Sequence, residues 1–283
     1  MPRTITFKGS SLTLIGRVLK GGTLAPDFRV VTQDLNESGL SDFAGKIKVI
    51  TSFPSLDTPV CDLQVKEFNK RAAEFSADTV VLGISKDLPF AQKRFCQQNT
   101  IKNVSVMSDY KYSSFGINYG LLIKELNLLA RAVVIVDKNN VLRYIRIAEE
   151  LTIPLDYEAA LVKLQEVIAN PAAELPKDGL PAKCLPCEGG AVFLPKDAVE
   201  KRLTNYRGWQ LIEDKKIVKE FTFSDFQDTK YFLDIICLIA REQGHHPNLT
   251  LIYNKLKVTL TTHSAGGLTE NDFIMAKIID EME

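Results

Sequence analysis

The sequence predicts two domains of different class: an α/β domain over residues 1–168 and an α+β domain over residues 184–283, joined by a linker over residues 169–183. A length of 283 residues fits two domains at roughly 150 residues each. Prolines recur every fifth residue from Pro171 to Pro186, which blocks helix formation and favours an extended connector. The hydrophobic pattern differs on the two sides of this segment.

Before the linker, β-branched runs alternate with amphipathic stretches. Residues 48–53 and 79–85 are predicted strands, and residues 61–75 and 89–98 are predicted helices, which is the pattern of a βαβ fold. Residues 131–137 and 141–147 form a predicted hairpin, and residues 157–168 a final helix. This domain is expected to have helices packed on a sheet.

After the linker, the elements follow an αββαββα order. Helices are predicted near residues 196–205, over 224–243 and from about residue 270. Strands are predicted near residues 209–213, 217–223, 249–253 and 256–262. Adjacent strands with helices packed on them define an α+β domain.

Charge and composition exclude several classes of function. The 35 basic residues balance 35 acidic ones, which disfavours nucleic acid or a membrane surface as a partner. No apolar run has the length of a secretion signal or a spanning helix, so we expect a soluble, cytoplasmic protein. Five cysteines at irregular spacing do not describe a disulfide framework and are more typical of catalytic or metal-binding residues.

A cysteine at a helix start is the first candidate site. Thr58 has the position of an N-cap and Pro59 that of the first helical residue, which places Cys61 in the first turn, where free N–H groups and the helix dipole favour a thiolate. Two interpretations follow from this spacing. Thr58 donates a hydrogen bond to an oxygen bound at the sulfur, or Thr58 only caps the helix and Cys61 packs in the core.

The segment P-S-L-D-T-P-V-C resembles the peroxidatic signature P-x-x-x-T-x-x-C of peroxiredoxins, with Pro54, Thr58 and Cys61 at its fixed positions. The segment S-K-D-L-P-F-A-Q-K-R-F-C is similar to the resolving-cysteine segment of bacterial thiol peroxidases, and it ends at Cys96. The resemblance implies a thioredoxin-like fold without metal or organic cofactor, in which Cys61 attacks a peroxide, Cys96 captures the sulfenic acid, and thioredoxin reduces the disulfide. It also identifies Arg131 with the family's active-site arginine, whereas spacing alone describes a solvated residue at a strand end. A disulfide oxidoreductase is disfavoured because Cys61 has no C-x-x-C partner.

The three histidines form the second candidate site. His245 and His246 follow a helix, and His263 lies on the polar face near the end of the last predicted strand. Asp272 stands three residues after a threonine, which is capping-box spacing. These four residues are therefore proton-transfer groups, metal ligands, or ordinary surface histidines beside a helix cap.

The pattern H-H-P, Tyr253, His263 and Asp272 resembles pterin-4a-carbinolamine dehydratases over residues 184–283, including C-x-P-C-E-G-G and N-K-L-K-V-T-L-T-T-H. The resemblance implies loss of water from a 4a-hydroxytetrahydropterin without a cofactor. His245 and His263 then carry the proton transfers, His246 helps to bind the pterin, and Asp272 orients the site or caps the helix.

The C-terminal domain also departs from this family. Arg241 stands where the family usually has an acid, and Glu242 is displaced by one position. A different interpretation makes this domain a dimerisation or partner-binding module, and both families commonly form homo-oligomers. Cys184 and Cys187 are expected to be structural, with reduction of the Cys61–Cys96 disulfide as the minority hypothesis.

Cys237 lies in the apolar run I-I-C-L. We therefore expect it in the core of the C-terminal domain.

Overall fold

The computed structural model describes residues 3–73, 75–173, 183–186 and 192–282. The chain clusters into two units, Met1–Lys177 and Asp178–Glu283. Each unit is described separately below. No helix within the described residues is long and apolar enough to cross a membrane.

The first unit contains four α-helices, a mixed central sheet and a second, smaller sheet within its described residues. Its helices are α1 (Pro59–Ala72), α2 (Pro89–Gln98), α3 (Ser114–Asn118) and α4 (Tyr157–Ala169). Its strands are β1 (Arg3–Phe7), β2 (Ser10–Ile15), β3 (Val30–Val31), β4 (Glu37–Ser38), β5 (Ile47–Ser52), β6 (Thr79–Ser85), β7 (Ser105–Ser108), β8 (Leu122–Ile123), β9 (Leu128–Leu129), β10 (Ala132–Val136) and β11 (Leu142–Ile147). A 3₁₀ turn spans Leu40–Phe43.

The central sheet has the order β11-β10-β5-β6-β7-β3-β4. β5, β6 and β7 are parallel, and β10 is antiparallel to both β5 and β11. Every residue of β5 and β10 is buried, which is the signature of central strands covered on both faces. The βαβ pattern, the hairpin and the thioredoxin-like fold expected from the sequence are confirmed.

Strand β5 leads into α1, and β6 leads into α2. Both helices begin with proline, whose fixed φ suits the first helical position. Cys61 on α1 and Cys96 on α2 belong to one apolar cluster with residues of β5, β10 and α4. The parallel arrangement therefore delivers both cysteines to the same core.

Residues 3–46 contain strands that the hydrophobic pattern did not predict. β1 and β2 pair as a hairpin within a second sheet of order β1-β2-β8-β9. β1 buries only Ile5 and β2 only Leu12 and Leu14, so each of these short strands has too few buried apolar residues to give a clear hydrophobic period. This sheet contacts the loop after β11, because Thr6 N–H donates to Glu149 O and Leu151 N–H donates to Thr6 O.

The beginning of the predicted linker packs on the first unit. Lys138 N–H donates to Pro171 O at 2.8 Å, and Ala173 N–H donates to the buried Asp137 carboxylate at 2.9 Å. Residues 171–173 are therefore anchored to the β10–β11 hairpin. Pro176 and Pro181 lie outside the described residues.

The second unit has the predicted αββαββα order. Its elements are α5 (Lys196–Leu203), β12 (Gln210–Ile212), β13 (Lys216–Thr222), α6 (Phe226–Gln243), β14 (Asn248–Ile252), β15 (Lys255–Leu260) and α7 (Glu270–Asp280). The antiparallel sheet has the order β12-β13-β15-β14. Trp209, the only tryptophan of the sequence, is buried in this unit and donates its Nε1–H to Asp280 Oδ1 at 3.0 Å.

The prediction that Cys237 lies in the core is wrong. α6 buries the side that holds Phe232, Ile236 and Ile239, whereas Cys237 is exposed. Four apolar letters in a row cannot all face inward on a helix with 3.6 residues per turn.

Candidate functional site

The turn between β5 and α1 places Cys61 in the first turn of the helix. Thr58 is the N-cap residue and Pro59 the first helical residue, as the spacing predicted. Cys61 is fully buried, and its N–H donates to Thr58 O at 3.1 Å. Pro54, at the start of this turn, is also buried. The thiol thus lies at the positive end of the helix dipole and away from bulk water.

The Thr58 hydroxyl faces the sulfur. Its Oγ1 donates to Cys61 Sγ at 2.7 Å and lies 3.2 Å from Ser55 O, and it makes no side-chain capping hydrogen bond. The interpretation in which Thr58 serves only as a helix cap is therefore wrong. A hydroxyl donor this close to the sulfur stabilises negative charge there.

Arg131 brings a buried guanidinium group to the same sulfur. It directly precedes β10, is 1% exposed, and its Nη2 lies 3.3 Å from Cys61 Sγ. Nη2 and Nε also donate to Leu151 O, at 3.0 and 3.3 Å. The interpretation of Arg131 as a solvated strand-end residue is wrong, because every contact of this side chain is inside the protein.

Gln64 completes the contacts of this cation and was missed at the sequence level. It is fully buried, its Oε1 accepts from Arg131 Nη1, and its Nε2 donates to Ser52 O at 3.2 Å. Cys61, Gln64, Val65 and Phe68 share the buried face of α1. A polar residue within an apolar helical stripe was the signal that would have identified Gln64.

Cys96 lies on α2 with different partners. It is 7% exposed, and Gln33 Nε2 donates to its sulfur at 3.3 Å. Burial raises the pKa of the Cys96 thiol, and the hydrogen bond from Gln33 acts in the opposite direction. Both Cys61 and Cys96 are free thiols.

Asp272 lies at the centre of the histidine site. It is fully buried, and its Oδ1 is 2.8 Å from Nε2 of His245, which is 4% exposed. Its Oδ2 accepts from the Thr262 hydroxyl and from the Thr269 N–H, each at 2.8 Å. Asp272 therefore completes the predicted capping box of α7 and also orients a histidine.

His246 and His263 are exposed neighbours of these contacts. β15 ends at Leu260, and His263 begins a 3₁₀ turn, so the prediction that it lies near the end of the strand's polar face is corrected. His246 follows His245, and His263 follows Thr262, so each lies one residue from a group bound to Asp272. Among the described residues, no group of three or more His, Cys, Asp or Glu side chains is arranged to hold a metal ion.

The segment around Cys184 is tied to both ends of this site. Cys184 is buried, and its N–H donates to the side chain of Gln243 at 2.9 Å. The Asn271 carboxamide accepts from Leu185 N and donates to Leu185 O, both at 2.8 Å. Cys187 lies outside the described residues.

Arg241, which stands where the sequence analysis expected an acid, is exposed in the last turn of α6. Glu242 next to it is half-buried. Tyr253 is exposed and follows β14 directly.

In comparisons with known proteins, two family models match different parts of the chain. The family described as Redoxin matches residues 20–161, and the family described as Pterin 4 alpha carbinolamine dehydratase matches residues 193–282. A thiol peroxidase of Staphylococcus saprophyticus is 49% identical over 157 residues, which cover 56% of this chain and 94% of the relative.

Two solved structures are similar to parts of this chain. The peroxiredoxin-like protein from Aquifex aeolicus is 41% identical, with a TM-score of 0.55, and the match covers 58% of this chain and 97% of that one. The transcriptional coactivator/pterin dehydratase from Brucella melitensis is 33% identical, with a TM-score of 0.31, over 31% of this chain and 96% of that one. The chain therefore belongs to the redoxin family, as a homologue of thiol peroxidases in its N-terminal part, and carries in addition a C-terminal region of the pterin dehydratase type.

Proposed function

We propose that the chain is a bifunctional enzyme that reduces peroxides at Cys61 and dehydrates a 4a-hydroxytetrahydropterin at the histidine site. The observation that carries the first activity is the pair of donors at Cys61 Sγ, the Thr58 hydroxyl at 2.7 Å and the Arg131 guanidinium at 3.3 Å. Both donors can stabilise the negative charge as it moves from the sulfur to the leaving oxygen during peroxide cleavage.

The peroxidase reaction begins with attack of the Cys61 thiolate on one oxygen of the peroxide. An S–O bond forms as the O–O bond breaks, and the leaving hydroxide or alkoxide takes up a proton to become water or an alcohol. Arg131 is fixed by Leu151 O and Gln64, so its charge needs no reorganisation during this step. Cys61 is left as a sulfenic acid.

Cys96 is proposed to resolve this intermediate. The Cys96 sulfur attacks the sulfur of the sulfenic acid, an S–S bond forms as the S–O bond breaks, and the hydroxyl group takes up the proton lost by the Cys96 thiol and leaves as water. The two thiols are buried on different helices with different partners, and we propose that α1, α2 or both open before the disulfide forms. A dithiol protein of the thioredoxin type then reduces the disulfide by exchange.

The test of this activity is turnover of hydrogen peroxide and an alkyl hydroperoxide by the full chain with thioredoxin, thioredoxin reductase and NADPH. Cys61→Ser should abolish turnover. Cys96→Ser should allow one round of Cys61 oxidation without a disulfide between these two positions. Normal turnover by Cys61→Ser would refute the proposal.

The dehydratase activity is supported by the contact of His245 with the buried Asp272. A carboxylate at Nε2 fixes the orientation of the imidazole, and general acid–base catalysis requires a side chain held in place. The 4a-hydroxyl leaves as water after protonation, a base takes the N5 proton, and the C4a–N5 double bond forms. His245 and His263 are proposed to carry these protons and His246 to contact the pterin.

The competing proposal is a dimerisation or partner-binding module, favoured by Arg241 at a position where an acid is usual. Dehydration of a 4a-hydroxytetrahydropterin by the full chain distinguishes the two. The enzyme proposal expects turnover that His245→Ala or His263→Ala abolishes. Absence of turnover in a preparation that still reduces peroxide would leave the binding module.

A further inference from the structure

The carboxylate of Asp87 lies between the two segments that carry Cys61 and Cys96. Asp87 directly precedes Leu88, the N-cap residue of α2. Ser55 Oγ donates to Asp87 Oδ1 at 2.7 Å, and Leu56 N–H donates to Oδ2 at 2.8 Å. One side chain therefore joins the start of α2 to the turn before α1.

The turn held by Asp87 is the one that places Thr58. Ser55 O accepts from Thr58 N–H at 3.1 Å and lies 3.2 Å from Thr58 Oγ1, the hydroxyl that donates to Cys61 Sγ. The path from Asp87 to the sulfur thus runs through two residues and short hydrogen bonds. Because reactivity depends on sub-ångström placement of donors, loss of the carboxylate should reach Cys61 through Thr58.

Asp87 also holds the interior side of α2. Ser85 Oγ donates to Asp87 Oδ2 at 2.8 Å and accepts from Gln92 Nε2 at 3.0 Å, and Gln92 lies one helical turn before Cys96. Gln92 Oε1 is buried with no hydrogen-bond partner in the described part of the chain. An unpaired buried acceptor weakens the packing of α2.

We propose that Asp87 is a positioning residue that couples the two cysteine-bearing helices, so that one carboxylate sets the balance between peroxide attack and disulfide formation. With its hydrogen bonds intact, Thr58 stays on the Cys61 sulfur and α2 stays packed, which favours reaction with peroxide. Breaking them releases the starts of both helices together, which favours the approach of Cys96. This inference rests on the proposed roles of Cys61 and Cys96.

The test uses the full chain with Asp87→Asn, which keeps the size of the side chain but removes its charge and sets an NH₂ group against N–H and O–H donors. Oxidation of Cys61 by hydrogen peroxide is timed with Cys96→Ser present, and conversion of sulfenic acid to disulfide is timed with Cys96 intact, both by acid quench and mass spectrometry. We expect the first rate to fall and the second to rise, each about 10-fold. The fraction of Cys61 converted to sulfinic acid at a fixed peroxide concentration should fall.

Ser55→Ala removes one of the three hydrogen bonds and should shift both rates in the same directions by a smaller factor. If circular dichroism shows that Asp87→Asn does not fold, the two rates of Ser55→Ala provide the test of the coupling. Lys93→Ala is the matched control on α2, since it breaks an exposed ion pair with Asp34 that does not touch the turn before α1. Neither rate should change in that control.

A fall in both rates, or no change in either, would overturn the coupling and leave Asp87 with a purely structural role. A change of similar size in Lys93→Ala would overturn it as well. The proposed function fails separately, when the unsubstituted chain forms no sulfenic acid at Cys61 or no disulfide with Cys96.

Discussion

Replacing Thr58 by valine tests whether its hydroxyl acts on the Cys61 sulfur. Valine keeps the β-branched shape and removes only the hydroxyl, which donates to Sγ at 2.7 Å. A hydrogen bond to a charged acceptor contributes about 1.5–3 kcal/mol, and each 1.4 kcal/mol of activation free energy corresponds to about a tenfold change in rate. We therefore expect the second-order rate constant of Cys61 with hydrogen peroxide to fall by about 10- to 150-fold.

The same substitution should hardly affect folding. Thr58 makes no side-chain capping hydrogen bond, so the free energy of unfolding should drop by less than the ~1 kcal/mol typical of a lost N-cap. Oxidation of Cys61 is measured by quench and mass spectrometry in a Cys96→Ser background, and stability by urea unfolding. Thr58→Ser, which keeps a hydroxyl, is the control and should retain most of the rate. A Thr58→Val rate within about threefold of the unsubstituted value would refute the reasoning, as would a loss of stability without a loss of rate.

Three further predictions concern a buried lysine, the histidine site and an exposed thiol. Burial lowers the pKa of Lys48 from 10.5 to about 8, so between these values the unfolded chain holds the proton and the folded chain does not, and the free energy of unfolding should rise with pH across this window. Lys48→Met should remove that rise, which is at most about 3 kcal/mol, and urea unfolding at a series of pH values measures it. Lys66→Met, at an exposed lysine, is the control and should keep the pH dependence of the unsubstituted chain. Asp272→Asn should lower both the thermal stability of the second unit and pterin dehydration, whereas His263→Ala, on an exposed residue, should lower dehydration and change stability by less than about 0.5 kcal/mol; equal loss of stability in both would contradict this. Cys237 should react with iodoacetamide in the native chain, but more slowly than in the unfolded chain, because burial and Asp234 raise the pKa of its thiol. Strong protection from alkylation would show that it is not exposed.

The elements that carry both sites could be predicted because their signals are local. Proline at the start of α1, the β-branched residues of β5 and the glycine after α6 each act within a few residues. The position of Cys61 in the first turn followed from these signals alone. Whether the Thr58 hydroxyl caps the helix or faces the sulfur could not be predicted, because residue spacing does not determine a side-chain rotamer.

Arg131 and Gln64 show where local signals end. The burial of Arg131 depends on a hydrogen bond to Leu151 O, a backbone atom 20 residues away. The position of a backbone carbonyl group in the fold cannot be predicted from a pattern of residue types. Gln64 was visible as a polar residue in an apolar stripe, but helical periodicity does not identify Arg131 as its hydrogen-bond partner. The prediction that Cys237 lies in the core was wrong because a short apolar run on a helix does not specify which of its residues faces inward.

The single buried tryptophan of the chain gives it a built-in optical reporter with a defined location. Trp209 lies in the second unit, where its indole N–H is held by Asp280. Emission excited at the red edge of tyrosine absorption therefore comes from the second unit alone, whereas far-ultraviolet circular dichroism reads the helices of both. Comparing the two signals in one urea titration resolves the unfolding of each unit within the intact chain, so variants at the histidine site can be assessed without separating it from the thiol site.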